Sequence, residues 1–391
     1  MRYNFDKVID RSGTSAEKVE GLKHIWGRTD LIPLWVADMD FATAPFVTDA
    51  IRKRCENEVL GYTGKPDRYY NAIINWVKQR YDLIVTKEVI NFVPGIVPGI
   101  GMAMNCFTQK GDKVMIQPPV YHPFAWVTTR NERTLVINPL KWENGMYRMD
   151  LDAFREQIKG CKLFILCNPH NPGGVVWTEA ELRAIADICY DEKVLVFSDE
   201  IHADLTLPPH THRPFATVSE KARMNSVTFM SPSKAFNMPG LSASHALIFN
   251  EDLRKRFRIY MDAGELDMGH VFAFLSVEAA YSHGTEWLDQ CLAYIQGNID
   301  FVDEFLKKHA PKIKAIRPEA SYLVWLDCRE LELSQKDLNE FFVDKAHLAL
   351  NDGEMFGKEG IGFMRLNVAS PRCIIEKAMK QLADAYQLYI K

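Results

Sequence analysis

The stretch Leu163-Phe164-Ile165-Leu166-Cys167-Asn168-Pro169-His170-Asn171-Pro172-Gly173-Gly174 decides how this chain folds. An unbroken apolar run passes directly into a loop made of turn formers. The construction recurs twice. Val194–Phe197 runs into Ser198-Asp199-Glu200-Ile201-His202, and Val227–Met230 runs into Ser231-Pro232-Ser233-Lys234. Short apolar runs without polar alternation fit strands buried on both faces of a mostly parallel sheet. Val89–Val93, Val114–Gln117 and Ala246–Phe249 are further runs of this kind. Between two of the strands, Thr178-Glu179-Ala180-Glu181 forms a capping box ahead of Leu182, Ile185, Ala186 and Ile188, which predicts a helix. Upstream, Phe46, Val47, Ala50, Ile51 and Cys55 follow Pro45 at helical spacing, and Tyr69, Ile73, Val77 and Tyr81 mark a second helix. Strand alternating with helix predicts a doubly wound α/β domain.

The last third reads differently. A long helical region precedes Lys312, then come a strand at Tyr322–Leu326, a helix near Lys336–Lys345, a strand at Arg365–Val368 and a final helix. This predicts a smaller α+β unit. The first forty residues show no sheet partner of their own and are expected to pack with it. The resulting division is a large α/β domain over 46–285 and a small one from 1–45 with 286–391. Within 391 residues, 47 % hydrophobic and 25 % charged, such cores are easily filled. A net charge of −4 advertises neither nucleic acid nor an anionic membrane as partner. No apolar run reaches the length of a membrane span, and the N-terminus lacks a signal-peptide pattern. Eight scattered cysteines without a CxxC read as reduced thiols, and a cytoplasmic location is expected.

In open parallel sheets, ligands bind outside the carboxyl ends of the strands, so the three polar clusters should meet in one crevice. An aspartate there is partly desolvated and needs a cationic partner to stay ionised. A desolvated lysine becomes a nucleophile toward carbonyls. Pyridoxal phosphate supplies what each lacks: an aldehyde for Lys234, a ring nitrogen for Asp199 and a phenolic oxygen for Asn171. Ser231 and Ser233 would offer hydroxyls to the phosphate. Each cluster alone is a polar turn; the three together, each after an apolar run, are specific. His202, Asp204, His210 and His212 sit in a proline-rich loop and read as solvated groups rather than a metal site. Asp38 and Asp40 read as turn and helix-entry carboxylates, and Cys167 as a buried inert thiol. Gly99-Ile100-Gly101 is followed by Met104 where a dinucleotide fingerprint needs its third glycine, which argues against NAD.

The arrangement resembles the fold-type I pyridoxal-phosphate enzymes of the class I/II aminotransferase-like group. Within it the chain is similar to the MalY/PatB-type cystathionine β-lyases and the cystalysin-type desulfhydrases. The resemblance spans nearly the whole length. It rests on Trp35-Val36-Ala37-Asp38-Met39-Asp40-Phe41, Leu60-Gly61-Tyr62-Thr63-Gly64, the Asp199 and Lys234 segments, and Phe356-Gly357 through Phe363-Met364-Arg365-Leu366-Asn367. The resemblance implies that Lys234 attaches the cofactor and shuttles the Cα proton. It also implies that Asp199 pairs with the ring nitrogen, that Asn171 and His202 contact the ring oxygen, and that Tyr121 stacks on the ring. Val93-Pro94-Gly95-Ile96-Val97-Pro98 matches the loop that opens a helix onto the phosphate, with Ile96 and Val97 as amide donors because Pro98 has none. Arg365 matches the arginine that grips the substrate carboxylate, with Ala37 beside it, and Tyr62 matches a residue delivered across a homodimer interface. One departure stands out. Many aminotransferases carry an arginine eight residues after the lysine, and here that position is Ser242.

The resemblance implies carbon–sulfur β-elimination from L-cystathionine, L-cysteine or related S-conjugates, giving a thiol or sulfide, pyruvate and ammonia. An aminotransferase shares every catalytic residue and is the alternative. A non-catalytic binding or regulatory protein on the same fold is a third reading, opposed by the intact set of Lys234, Asp199, Asn171 and Arg365.

Overall fold

The computed structural model describes residues 2–390. The unbroken apolar runs become a seven-stranded sheet. Across it the order is Ile90–Val93, Ser244–Leu247, Ser226–Met230, Leu195–Asp199, Cys161–Cys167, Lys113–Ile116 and Thr134–Ile137. Ser244–Leu247 runs antiparallel to both of its neighbours, and the other pairs are parallel. The central strands are almost wholly buried because helices cover both faces, which is why their sequences show no alternation. Thr134–Ile137 is an edge strand with half-exposed side chains, so it leaves no buried apolar run in the sequence. The predicted helices appear as Pro45–Cys55, Asp67–Tyr81 and Glu179–Asp191, the last with both halves of its capping box formed.

A second sheet of four antiparallel strands orders Lys314–Ile316, Leu323–Asp327, Phe363–Asn367 and Asn351–Asp352. The long helix Thr285–His309 and the C-terminal helix Arg372–Tyr389 are packed against one another beside it. The N-terminal segment does have a sheet partner, contrary to the sequence expectation. Ile32–Pro33 pairs in parallel with Leu348–Ala349, a contact too short to leave a sequence signature. Beyond it, residues 35–41 form a strap across the carboxyl ends of the large sheet. Its fastenings come from both sides. Asn367 Nδ2 donates to the carbonyls of Val36 and Asp38, each at 2.7 Å, and Asn237 Nδ2 donates to those of Met39 and Phe41.

Asp38 and Asp40 are therefore not turn or helix-entry carboxylates. They hold Lys18, whose side chain is fully buried, with Nζ 2.8 Å from Asp40 and 3.6 Å from Asp38, and Arg11 closes the cluster from outside. Two carboxylates facing two cations let a lysine be buried where an unpaired one would be expelled.

Candidate active site

The ends of the central strands meet as the sequence predicts. Cys167 and Asp199 are register partners, as are Asp199 and Phe229, so the residues that follow emerge side by side. They open onto a cavity of about 210 Å³. Asp199 is the last residue of its strand rather than the first of a loop, and this buries it to 3 % exposure. Its carboxylate accepts one hydrogen bond, from the Ile201 amide at 3.1 Å, and has no ion pair among the described residues. Burial pushes its pKa up to about 7, with the Ile201 amide and Lys234 pulling the other way. Cys167 is buried as expected and also lines the cavity, its thiol held protonated by burial.

Lys234 lies in the same cavity, its pKa lowered to about 8 by burial. Its Nζ donates to the Ala37 carbonyl at 2.6 Å, and the Tyr322 hydroxyl donates to the same oxygen at 2.9 Å. The strap thus brings Ala37 to the reactive amine. His202 lines the wall with Nδ1 unpartnered, and burial lowers its pKa to about 3, so the ring is neutral. Tyr121 and Asn171 complete this part of the site.

Ile96 and Val97 are the first two residues of the helix Ile96–Phe107 and line the cavity. Amides in a first turn have no intrahelical acceptor, and the helix dipole adds partial positive charge there. Gly99 lets this end sit close to the sheet, because a Cβ there would lie 2.9 Å from Val93 Cγ2. Ser233, Ser242 and Ser244 also line the cavity, and Lys234 is its single Lys or Arg among the described residues.

Arg365 occupies the middle of its strand and is 3 % exposed. Nη1 donates to Asn171 Oδ1 at 3.1 Å, and Nη2 donates to the Trp35 carbonyl at 3.0 Å and to Asn351 Oδ1. The guanidinium lies over the Phe356 ring, 4.9 Å from its centroid, and Nε has no partner. No carboxylate pairs with this buried cation among the described residues, so its charge is uncompensated there.

Two expected residues are placed elsewhere. The Ser231 hydroxyl donates to the Ala243 carbonyl at 2.8 Å and accepts from the Ser233 amide at 3.1 Å. It fastens its own loop and is not among the residues that line the cavity. Tyr62 is 98 % exposed, in a stretch without regular structure, and borders a different depression near Met268 and His270. His212 is buried rather than solvated, with Nε2 2.8 Å from Glu200 Oε2. No cluster of metal-ligating groups occurs among the described residues. Sequence reasoning missed Tyr322 and Asn351. The first reads as an ordinary strand residue and the second as a loop asparagine, and only the tertiary pairing reveals either.

These residues fit a planar pyridine carrying an aldehyde and a phosphate. Asp199 is a buried carboxylate lacking a cation, Lys234 an amine depressed toward its neutral form, and the helix start an anion site. Together with the seven-stranded sheet they define the class: an aminotransferase-like enzyme of pyridoxal-phosphate fold type I. The chain belongs to the family Aminotransferase class I and II, whose model matches residues 29–382. It is 38 % identical over 384 residues to "Cystathionine beta-lyase PatB" of Bacillus subtilis, covering 98 % of this chain and 99 % of that one. Among solved structures it is similar to cystalysin from Treponema denticola containing pyridoxal 5′-phosphate (TM-score 0.96, 33 % identity, all of both chains). It is equally similar in fold to a PLP-bound putative aminotransferase from Clostridium difficile (TM-score 0.96, 40 % identity, 98 % of this chain and 100 % of that one).

Proposed function

We propose that this protein is a pyridoxal-phosphate-dependent carbon–sulfur β-lyase that cleaves L-cystathionine, L-cysteine or a related cysteine S-conjugate. Its full-length relation to PatB and its likeness to cystalysin support this reading. The observation that carries it is the 38 % identity with PatB over 98 % of this chain; within the site, Arg365 donates to Asn171, so the carboxylate grip and the ring edge share one residue, as either reading needs.

When bound, pyridoxal phosphate supplies an aldehyde carbon for amine exchange and a protonated ring that accepts electrons from the substrate Cα. Lys234 would hold that carbon through its side-chain amine. The Lys234 amine, its pKa lowered to about 8 by burial, would serve as base for the Cα proton. Asp199 keeps the proton on the ring nitrogen. Arg365 fixes the carboxylate and so turns the Cα–H bond toward the direction in which it breaks. The thiolate leaves from Cβ, and hydrolysis yields pyruvate and ammonia. Ile96, Val97 and Ser233 would hold the phosphate, Tyr121 would stack on the ring, His202 and Asn171 would contact the ring oxygen, and Ala37 would flank the carboxylate.

The active unit in this reading is a homodimer in which Tyr62 enters the partner's site; Val59 and Leu60 beside it are also exposed. The site lies between the large domain, 46–285, and the small one. No helix among the described residues is long and apolar enough to cross a membrane, and all eight cysteines are free, which supports a cytoplasmic setting. The likeness to the Clostridium difficile putative aminotransferase keeps transamination as the second reading. The test is pyruvate and thiol release from L-cystathionine and L-cysteine by cofactor-loaded protein without added keto acid. Stoichiometric pyruvate supports the lyase. Glutamate from an amino donor and 2-oxoglutarate, without pyruvate, would assign the protein to the aminotransferases.

A further inference from the structure

Arg365 is held on the Nη2 side by Asn351, its register partner on the neighbouring strand and itself 6 % exposed. The amide is oriented: Oδ1 accepts from the guanidinium, while Nδ2 faces the Met355 thioether at 4.0 Å. The next residue is an acid, and it is turned away. Asp352 pairs with Met364, and its carboxylate accepts from Gln335 Nε2, Asn339 Nδ2 and the Glu354 amide. Alternation along a strand sends neighbouring side chains to opposite faces, so the order Asn-Asp presents a neutral oxygen to the arginine and keeps the charged one from it. Among the described residues every partner of Arg365 is neutral: Asn171, Asn351, the Trp35 carbonyl and the Phe356 ring.

We propose that Asn351 is a positioning and specificity residue that aims the Arg365 guanidinium while leaving its charge uncompensated for the α-carboxylate of an amino-acid substrate. The inference rests on Arg365 being the carboxylate site of the proposed function. A carboxylate at position 351 would form an internal charge-assisted pair with Nη2 and compete with the substrate. Removal of the amide would loosen the aim without cancelling the charge.

The test uses cofactor-loaded protein, with S-methyl-L-cysteine and its carboxamide as substrates and L-alanine as a spectroscopic binding probe. For Asn351→Asp, KM for the acid should rise about 30-fold with kcat within about threefold, and kcat/KM for the carboxamide should be nearly unchanged. The apparent affinity for L-alanine, read from the cofactor absorbance band, should fall by a similar factor. Asn351→Ala should raise KM for the acid about fivefold, the loss of one neutral hydrogen bond. It decides the matter if the aspartate variant does not hold cofactor. Unchanged affinity for the acid in both variants, or equal losses for acid and carboxamide, would overturn the assignment. If wild type binds L-alanine but forms no pyruvate, the lyase reading fails while the L-alanine titration still decides the role of Asn351.

Discussion

The two halves of the site are held by different physics. On the large sheet, Asn171, Asp199 and Lys234 emerge at the ends of strands whose register is set by continuous buried backbone pairing. On the other side, Ala37 is placed by a strap fastened through side chains, Asn237, Asn367 and the buried Lys18 cluster, and the guanidinium of Arg365, whose backbone lies in the small sheet, is aimed by Asn171 and Asn351. Backbone ladders fix position at little cost in specificity of sequence. Side-chain fastenings can be adjusted, so the half that meets the substrate is the half a single substitution can retune. The first half should govern whether chemistry occurs at all, and the second how well a substrate is held.

The largest effect should come from the first half. Lys234→Ala removes both the covalent anchor and the base, and pyruvate formation should fall by about 10⁴-fold or more, with loss of the cofactor absorbance band. A residual rate within tenfold of wild type would show that the strand-end lysine is not the nucleophile.

Asp199→Asn should lower the rate by about 10³-fold, since the amide cannot hold a proton on the ring nitrogen. It also carries a stability signature. In cofactor-free protein the carboxyl titrates near 7, against an ordinary value of 3.8. Between those values the folded chain binds a proton that the unfolded chain has released, so this group's contribution to stability falls as pH rises from about 4 to 7. The buried histidines act in the opposite sense, with His202 and His245 lowered to about 3 and His122 and His170 to about 4. The measurement is therefore the difference between wild type and Asp199→Asn in urea unfolding at pH 4.5 and 7. Wild type should lose about 3 kcal/mol relative to the variant over that range. A flat difference would mean that Asp199 is ionised in the folded chain even without cofactor.

The strap offers the next test. Lys18→Met leaves Asp38 and Asp40 with Arg11 alone and should destabilise the protein by about 3 kcal/mol in urea unfolding. KM should rise as well, because the strap carries Ala37 and the Trp35 carbonyl that accepts from Arg365. Loss of stability with unchanged KM would separate the strap's folding role from its role at the site.

The same contrast explains what the sequence reveals. Asn171, Asp199 and Lys234 are legible because each lies in a polar cluster that directly follows an apolar run, so local pattern marks their place. Ile96 and Val97 are legible as the residues after Gly95, at a helix start. Asn351, Tyr322 and the Ile32–Pro33 pairing depend on residues far apart in the chain, and no local pattern marks them. Ser231 is a related case. Its sequence position suits a phosphate ligand, but the Ala243 carbonyl, twelve residues on, takes its hydroxyl. Asp38 and Asp40 look like loop acids until Lys18, twenty residues away, is found buried between them.

The smallest expected effect lies where the sequence departs from the wider aminotransferase pattern. Ser242 lines the cavity at φ 45°, and no Lys or Arg besides Lys234 does so among the described residues. The phosphate must then be held by helix amides and hydroxyls, which are weaker partners for a dianion than a guanidinium. Ser242→Arg inherits a backbone conformation that serine already tolerates at similar strain, so its effect should come mainly from added charge. The dissociation constant for pyridoxal phosphate, followed by absorbance or fluorescence, should fall about tenfold, with a steeper salt dependence than wild type. An unchanged constant would mean that another group already neutralises the phosphate.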